Sequence, residues 1–128
     1  MSTLKAKDGN YQSIEQWLTD WAKGKRIVPD RNWFYFTHMS VYLRVYKFGD
    51  VVRLDFASVS VDKGFQGKRL TTKLLDWLEP KHKELGFTEI KYESVLNDKF
   101  AEYITVKRGA TIVDLPHHAC APSFIKRL

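Results

Sequence analysis

Disulfide chemistry is closed to this chain: it has a single cysteine, Cys120, so no internal bridge can form, and a reducing compartment is expected. Apolar runs are short. None approaches the length needed to span a bilayer, and the first residues lack the pattern of a secretory leader, so the expected location is the cytoplasm. No internal repeat and no low-complexity linker interrupts the chain. Metal-ligand clusters are scarce as well. His117, His118 and Cys120 follow Pro116 closely, but no second Cys/His cluster completes a four-ligand shell, and His38 and His82 show no ligand-like spacing. Residues 116–120 therefore read as a loop, and no metal is expected. No motif marks Cys120 as a nucleophile. Acidic residues are outnumbered, 15 against 21 Lys and Arg, which leaves a net charge of +6. That excess suits a plain basic surface, or a polyphosphate ligand, an acidic protein partner or nucleic acid.

What is present suffices for one domain over residues 1–128. The chain has 128 residues, near the common domain size. Its 44% hydrophobic and 14% aromatic content argues against disorder. Ser13 with Gln16 forms a capping box, and Ile14, Trp17, Leu18 and Trp21 then make an apolar helical stripe up to Gly24. Both tryptophans belong to a core against a sheet. Residues 33–36 read as a short strand. Residues 41–47 and 51–61 read as a hairpin closed near Gly49-Asp50.

The stretch 59–71 carries the most information. An apolar strand runs into a turn rich in Gly and Lys, and the turn opens directly onto an amphipathic helix. Backbone N–H groups and the positive end of a helix dipole then converge on one point, which suits a phosphate or pyrophosphate. Lys63, Lys68 and Arg69 add mobile positive charge there. Many strand-to-helix turns contain glycine for steric reasons alone, so the turn gains weight from its surroundings. Leu70, Leu74, Trp77, Leu78 and Leu85 share one helical face. Pro80 should kink or split that helix, and Gly86 is placed to end it. Residues 88–96 read as a strand, and Asn97 as the N-cap of a helix with Phe100, Ala101 and Ile104 on its apolar side. Such a crossover makes the strands at 52–61 and 88–96 parallel neighbours. Residues 123–128 read as a closing edge strand.

Two motifs at a joint spacing resemble the GNAT superfamily of acyl-CoA-dependent N-acetyltransferases. The first is Gln66-Gly67-Lys68-Arg69-Leu70-Thr71, preceded by Val61-Asp62. The second is Asn97-Asp98-Lys99-Phe100-Ala101-Glu102-Tyr103, ending in Lys107-Arg108-Gly109-Ala110. The resemblance covers residues 51–113; elsewhere it rests on element order. It implies an α/β fold with a GNAT-type mixed central sheet, in which antiparallel N-terminal strands lead to a parallel pair linked by a cofactor-binding helix. Three features depart from the family pattern. Arg69 stands where the first glycine is usual, and Thr71 where glycine or alanine is. One extra residue lies between Asn97 and Gly109, which leaves Tyr103 and Thr105 flanking the usual tyrosine position. The Arg69 backbone can still offer an N–H, and its guanidinium can pair with a phosphate. Alternatively, the site has decayed.

The resemblance also implies a chemistry. The reaction would be transfer of an acetyl group from acetyl-CoA directly to an amine on a protein lysine, an N-terminus or a small molecule. No covalent enzyme intermediate is expected, since no nucleophile motif is present. The backbone of Val59, Ser60 and Val61 would supply the oxyanion donor. Gln66, Gly67, Lys68, Arg69, Leu70 and Thr71 would hold the pyrophosphate, and Asn97 would touch the pantetheine arm or serve as a plain N-cap. Tyr103 is the candidate general acid, or else packs on its helix with the hydroxyl at the surface. Asp55 and Glu93 are candidate bases acting through water. Asp55 equally suits an ion pair with Arg44 or Arg53, and Glu93 a solvated strand face. The N-terminal region carries one clear helix where the family has two, which implies an open acceptor site and a macromolecular acceptor. Two other functions stay in view: a GNAT-like fold kept for binding, for example virion-associated, and a small basic nucleic-acid binder that presents a broad basic stripe.

Overall fold

The computed structural model describes residues 5–7, 11–24, 28–66, 69–93, 95, 98–113 and 122–128. Seven strands form one sheet in the order β1-β2-β3-β4-β5-β7-β6. They are β1 (Lys5–Lys7), β2 (Arg31–Tyr35), β3 (Met39–Phe48), β4 (Val51–Val61), β5 (Glu89–Tyr92), β6 (Thr111–Ile112) and β7 (Phe124–Arg127). The helices are α1 (Tyr11–Ala22), α2 (Leu70–Leu78), α3 (His82–Leu85) and α4 (Asp98–Glu102), the last continuing into a π turn over Tyr103–Lys107. The run β2-β3-β4 is antiparallel, β4 and β5 are parallel, and β7 is antiparallel to both β5 and β6.

Alternation along the strands builds a one-sided core. Phe34, Val41, Leu43, Val45, Leu54, Phe56, Ile90, Tyr92 and Phe124 are all buried, and register places them across from one another on the same face. Helix α1 covers this face with Ile14, Leu18 and Trp17, whose ring lies 5.3 Å from Phe34. The Trp17 indole also donates to Pro29 C=O at 2.9 Å. Helix α2 adds Leu74, Leu75 and Leu78, and α4 adds Phe100, edge-on to Tyr92 at 6.0 Å. The opposite face carries Trp33, Tyr42, Arg44, Tyr46, Arg53, Asp55 and Lys91.

Several boundaries differ from the sequence reading, each for a local reason. Helix α1 starts at Tyr11, two residues before Ser13, so Ser13 sits inside the first turn and not at the N-cap. Tyr11 is drawn in by ring contacts with Phe36 and Trp77 at 5.6 and 5.1 Å, and Gln16 bonds forward to Asp20. Strand β1 has no hydrophobic signature in Lys-Ala-Lys; the α1 crossover makes it parallel to β2. The strand expected over 88–96 stops at Tyr92. The C-terminal strand is interior, because β7 lies between β5 and β6 and the short β6 takes the edge. Pro80 does split its helix: α2 gives way to a 3-10 turn at Glu79–Lys81 before α3. Gly86, at φ 85°, closes α3 in the left-handed conformation that glycine tolerates. Asn97 and residues 116–120 lie outside the described residues.

Leu54 is fully buried at the centre of the core, while Phe48 is 44% exposed on the far side of the same hairpin. Leu54→Ala should cost about 2–5 kcal/mol, and Phe48→Ala under about 1 kcal/mol, its stack with the Arg53 guanidinium included. Urea unfolding of the two variants checks this; equal losses would contradict a one-sided core.

Candidate active site

A bulge and a parting of strands create the site. Tyr42 pairs with Ser58 and the next residue, Leu43, with Phe56, so Ala57 is an extra residue that bends β4. Pairing of β4 with β5 runs only from Arg53–Glu89 to Phe56–Tyr92. Its last bond is donated by the Glu93 N–H to the Phe56 carbonyl at 3.1 Å. Beyond that point β4 follows β3, whereas the chain after β5 follows β7, with the Val95 N–H donating to Pro122 at 2.8 Å. No described strand pairs with this edge of β4 past Phe56, which frees alternate N–H groups between Ala57 and Val61.

The wedge between the strands opens into a cavity of about 850 Å³. Ala57, Ser58, Val59 and Val61 form one wall, and Tyr92, Glu93 and Val95 the other. Arg69, Leu70, Thr71 and Thr72 close one end, and Lys99, Phe100 and Tyr103 of the α4 segment line the rest. Of the residues singled out in the sequence, Val59, Val61, Gln66, Arg69, Leu70, Thr71, Glu93 and Tyr103 meet here. Ser60 is exposed and pairs with Ser40 instead of lining the cavity. Gly67, Lys68 and Asn97 lie outside the described residues. Phe65 and Lys99 also line the wall and escaped the sequence reading. Phe65 stacks on His38 with ring centres 3.4 Å apart, a contact that only the fold creates.

The end of the cavity at α2 has the chemistry of an anion site. The first bond of the helix runs from the Lys73 N–H to the Arg69 carbonyl at 2.9 Å, so the N–H groups of Leu70, Thr71 and Thr72 have no acceptor within the helix. Arg69, the N-cap residue, supplies no capping side chain. Its φ is 63° and ψ 28°, and among the described residues it is the one non-glycine with positive φ. The backbone thus keeps a glycine-type turn while carrying an arginine. Phosphates could be held there by those amides, the helix dipole and the exposed Arg69 side chain.

The carboxylates sit behind the parting strands. Asp55, Glu93 and Arg44 lie on the sheet face away from the helices, with Asp30, Arg31, Val45 and Tyr46 around a second cavity of about 330 Å³. Glu93 lines both cavities; Asp55 lines only this one. One Arg44 nitrogen, Nη2, donates to Asp55 at 3.2 Å and also to Glu93. The ion pair of Asp55 with Arg44 that the sequence allowed is therefore formed, and Arg53 turns instead to Glu89. Asp55 is 1% exposed, and its Oδ1 has no hydrogen-bond partner among the described residues. Burial first, then the Glu93 charge, push its pKa up to about 7, against the pull of Arg44 and Lys91. A carboxyl so placed can exchange a proton near neutral pH.

Tyr103 opens the π turn and reaches the cavity with its hydroxyl accepting from Arg108 Nη1 at 2.7 Å. Thr105, its rival for the family tyrosine position, turns its hydroxyl back onto the carbonyls of Ala101 and Glu102. A π turn holds one residue more than an α turn, and Tyr103–Lys107 form such a turn between Asp98–Glu102 and Gly109. Among the described residues no cluster of His, Cys, Asp or Glu could hold a metal ion, and no helix is long and apolar enough to cross a membrane.

Solved structures share this fold. The chain aligns with Naa50 of Arabidopsis thaliana in complex with the bisubstrate analogue CoA-Ac-MVNAL, at a TM-score of 0.52 and 16% identity over 70% of this chain and 64% of that one. It aligns with a GNAT-family acetyltransferase of Staphylococcus aureus MU50 at 0.52 and 20%, over 73% and 61%. This is the GNAT fold. A structure of the NatC complex bound to a Gag peptide and CoA aligns at 0.54 and 14%, over 100% of this chain and 83% of that one. The chain thus spans less than two thirds of the length of Naa50 or of the staphylococcal protein. No family model and no curated protein matches the sequence. In this GNAT fold the β4–β5 wedge, the α2 N-terminus and Tyr103 lie around one cavity.

Two outcomes test this geometry. The raised Asp55 pKa contributes stability that is fully present below its unfolded value of about 3.9 and is lost as pH rises through about 7. In urea titrations from pH 4 to 8, the wild type should therefore weaken relative to Asp55→Asn up to about pH 7 and then hold level. A constant difference across that range would remove the raised carboxyl from Asp55. Arg69→Gly should raise stability by about 1 kcal/mol or less, as relief of the left-handed strain is partly offset by glycine's larger unfolded entropy. A loss of stability on calorimetric melting would mean that the arginine side chain outweighs its strain.

Proposed function

We propose that this chain is an N-acetyltransferase that moves an acetyl group from acetyl-CoA directly to an amine. The observation that carries the reading is the wedge itself. A cavity with unpaired strand N–H groups on one wall leads from unsatisfied helix amides to a carboxylate and a phenol. Acetyl-CoA brings an activated thioester and a pyrophosphate, and the residues fit both. The amides of Leu70, Thr71 and Thr72 with Arg69 face the pyrophosphate, helped by Gln66, Gly67 and Lys68 of the same motif. The free N–H groups of β4 around Val59, Ser60 and Val61 receive the developing oxyanion. For Asn97 the resemblance implies a contact with the pantetheine arm. Glu93, with Asp55 behind it, takes the amine proton through water, and Tyr103 gives its proton to the departing sulfur.

A protein acceptor is the favoured substrate class. Among the described residues the N-terminal region supplies one helix, α1, and the Naa50 and NatC structures are bound to CoA-Ac-MVNAL and to a Gag peptide with CoA. The place of action is taken to be the cytoplasm. The nucleic-acid alternative loses support because the sheet-face arginines are spent on carboxylates: Arg31 on Asp30, Arg44 on Asp55 and Glu93, Arg53 on Glu89. The glycine-type backbone at Arg69 favours a retained cofactor site over a decayed one.

Calorimetric titration with acetyl-CoA, with ATP as the anion control, tests the reading. Saturable micromolar binding that ATP does not imitate is expected. Absence of binding would leave the fold as a scaffold for partners. With an acceptor in hand, Tyr103→Phe should lower kcat by about a hundredfold or more and leave acetyl-CoA affinity nearly unchanged. Full activity in that variant would remove Tyr103 from the chemistry.

A further inference from the structure

Tyr103 and Arg108 are five residues apart, a spacing that should keep them from meeting. On an α-helix, at about 100° per residue, positions i and i+5 point roughly 140° apart. A π turn closes i to i+5 and brings the two onto one side. The turn at Tyr103–Lys107 does this, and the Arg108 guanidinium folds back onto the phenol oxygen. The contact is built in. Arg108 Nε donates to Glu79 at 2.6 Å, and Nη1 also donates to Asp76 at 2.8 Å. Glu79 is buried at the end of α2 and accepts a second bond from Lys126 of β7. The Arg108 side chain is 12% exposed, and its hydrogen bonds to Asp76, Glu79 and Tyr103 outweigh burial and hold it charged. A buried carboxylate paired twice is costly to disturb, which fixes the fork in place.

We propose that Arg108 is a positioning residue for proton delivery, brought to Tyr103 by the π turn. The inference rests on the acetyltransferase reading. By donating to the Tyr103 oxygen, Arg108 takes up an acceptor lone pair and leaves the single phenolic proton free to point into the cavity. It then remains beside the oxygen to stabilise the phenolate formed when that proton leaves. The step balances: the amine nitrogen bonds the acetyl carbon, the carbon–sulfur bond breaks, and the sulfur takes the Tyr103 proton. The proton lost by the amine passes through water to Glu93. The phenolate and the carboxylic acid are reset by exchange with water. Tyr92, the other phenol in the wall, feels the Arg108 charge but receives no hydrogen bond from it. Its hydroxyl is buried without a hydrogen-bond partner among the described residues, and burial, then Glu79, push its ionisation upward.

The test has one arm without substrate and one with it. In free protein labelled at tyrosine Cζ, the Tyr103 carbon resonance, assigned through Tyr103→Phe, should shift in Arg108→Gln. In turnover, Arg108→Gln should lower kcat about tenfold to a hundredfold with KM for acetyl-CoA changed less than about threefold. Arg108→Lys, which keeps a cation against Glu79 and guards against loss of fold, should recover part of kcat. An unmoved Tyr103 resonance overturns the contact whatever the activity. A moved resonance with unchanged kcat overturns the role of Arg108 alone. A moved resonance in a wild-type protein that neither binds acetyl-CoA nor acetylates any amine overturns this role together with the acetyltransferase reading.

Discussion

One hydrogen bond marks where the molecule divides, the one donated by Glu93 to the Phe56 carbonyl. Up to it, β4 and β5 form an ordinary parallel pair whose apolar residues fill the core. After it, each chain stays with its other neighbour, β3 or the β7 side, and the sheet opens. An opened sheet is costly because backbone groups lose their partners. Here the cost falls where unpaired amides are useful, and the bulge at Ala57 turns that edge toward the gap. Everything assigned to the site is arranged around this point.

Charge is distributed in the same economy. The chain carries an excess of basic residues, yet the arginines on the open sheet face are each matched to carboxylates. At the other end, the α2 N-terminus and Arg69 line the cavity. Behind the gap, burial of Asp55 and the close Glu93 charge outweigh the pull of Arg44 and Lys91, so Asp55 holds a proton more readily than an isolated carboxylate. Asp55 lies on the face away from the helices, while Glu93 reaches both that face and the cavity that Arg69 closes.

Local pattern made much of this legible. The α2 stripe, the split at Pro80, the Gly86 stop and the hairpin at Gly49-Asp50 follow from spacing and turn chemistry, which act within a few residues. The parallel pair followed from the right-handed crossover rule. Other features were hidden because their causes are distant in sequence. Nothing in Lys-Ala-Lys announces a strand; β1 exists because β2 offers it an edge. Tyr11 joins α1 through rings of Phe36 and Trp77. Phe65 enters the wall through His38. The pairing of Asp55 with Arg44 could be named beforehand, but its sharing with Glu93 depends on strand register. The π turn at Tyr103 could not be read from composition or periodicity.

That π turn has a consequence for how such a site changes over generations. Substitution exchanges side chains at fixed addresses, whereas a π turn differs from an α turn by one whole residue. No series of point changes leads smoothly from one to the other. Point substitutions in descendants of this chain can replace Tyr103 or Arg108 one at a time, but the relation between the two addresses is set by the length of the turn and is lost at once when a residue is deleted from it.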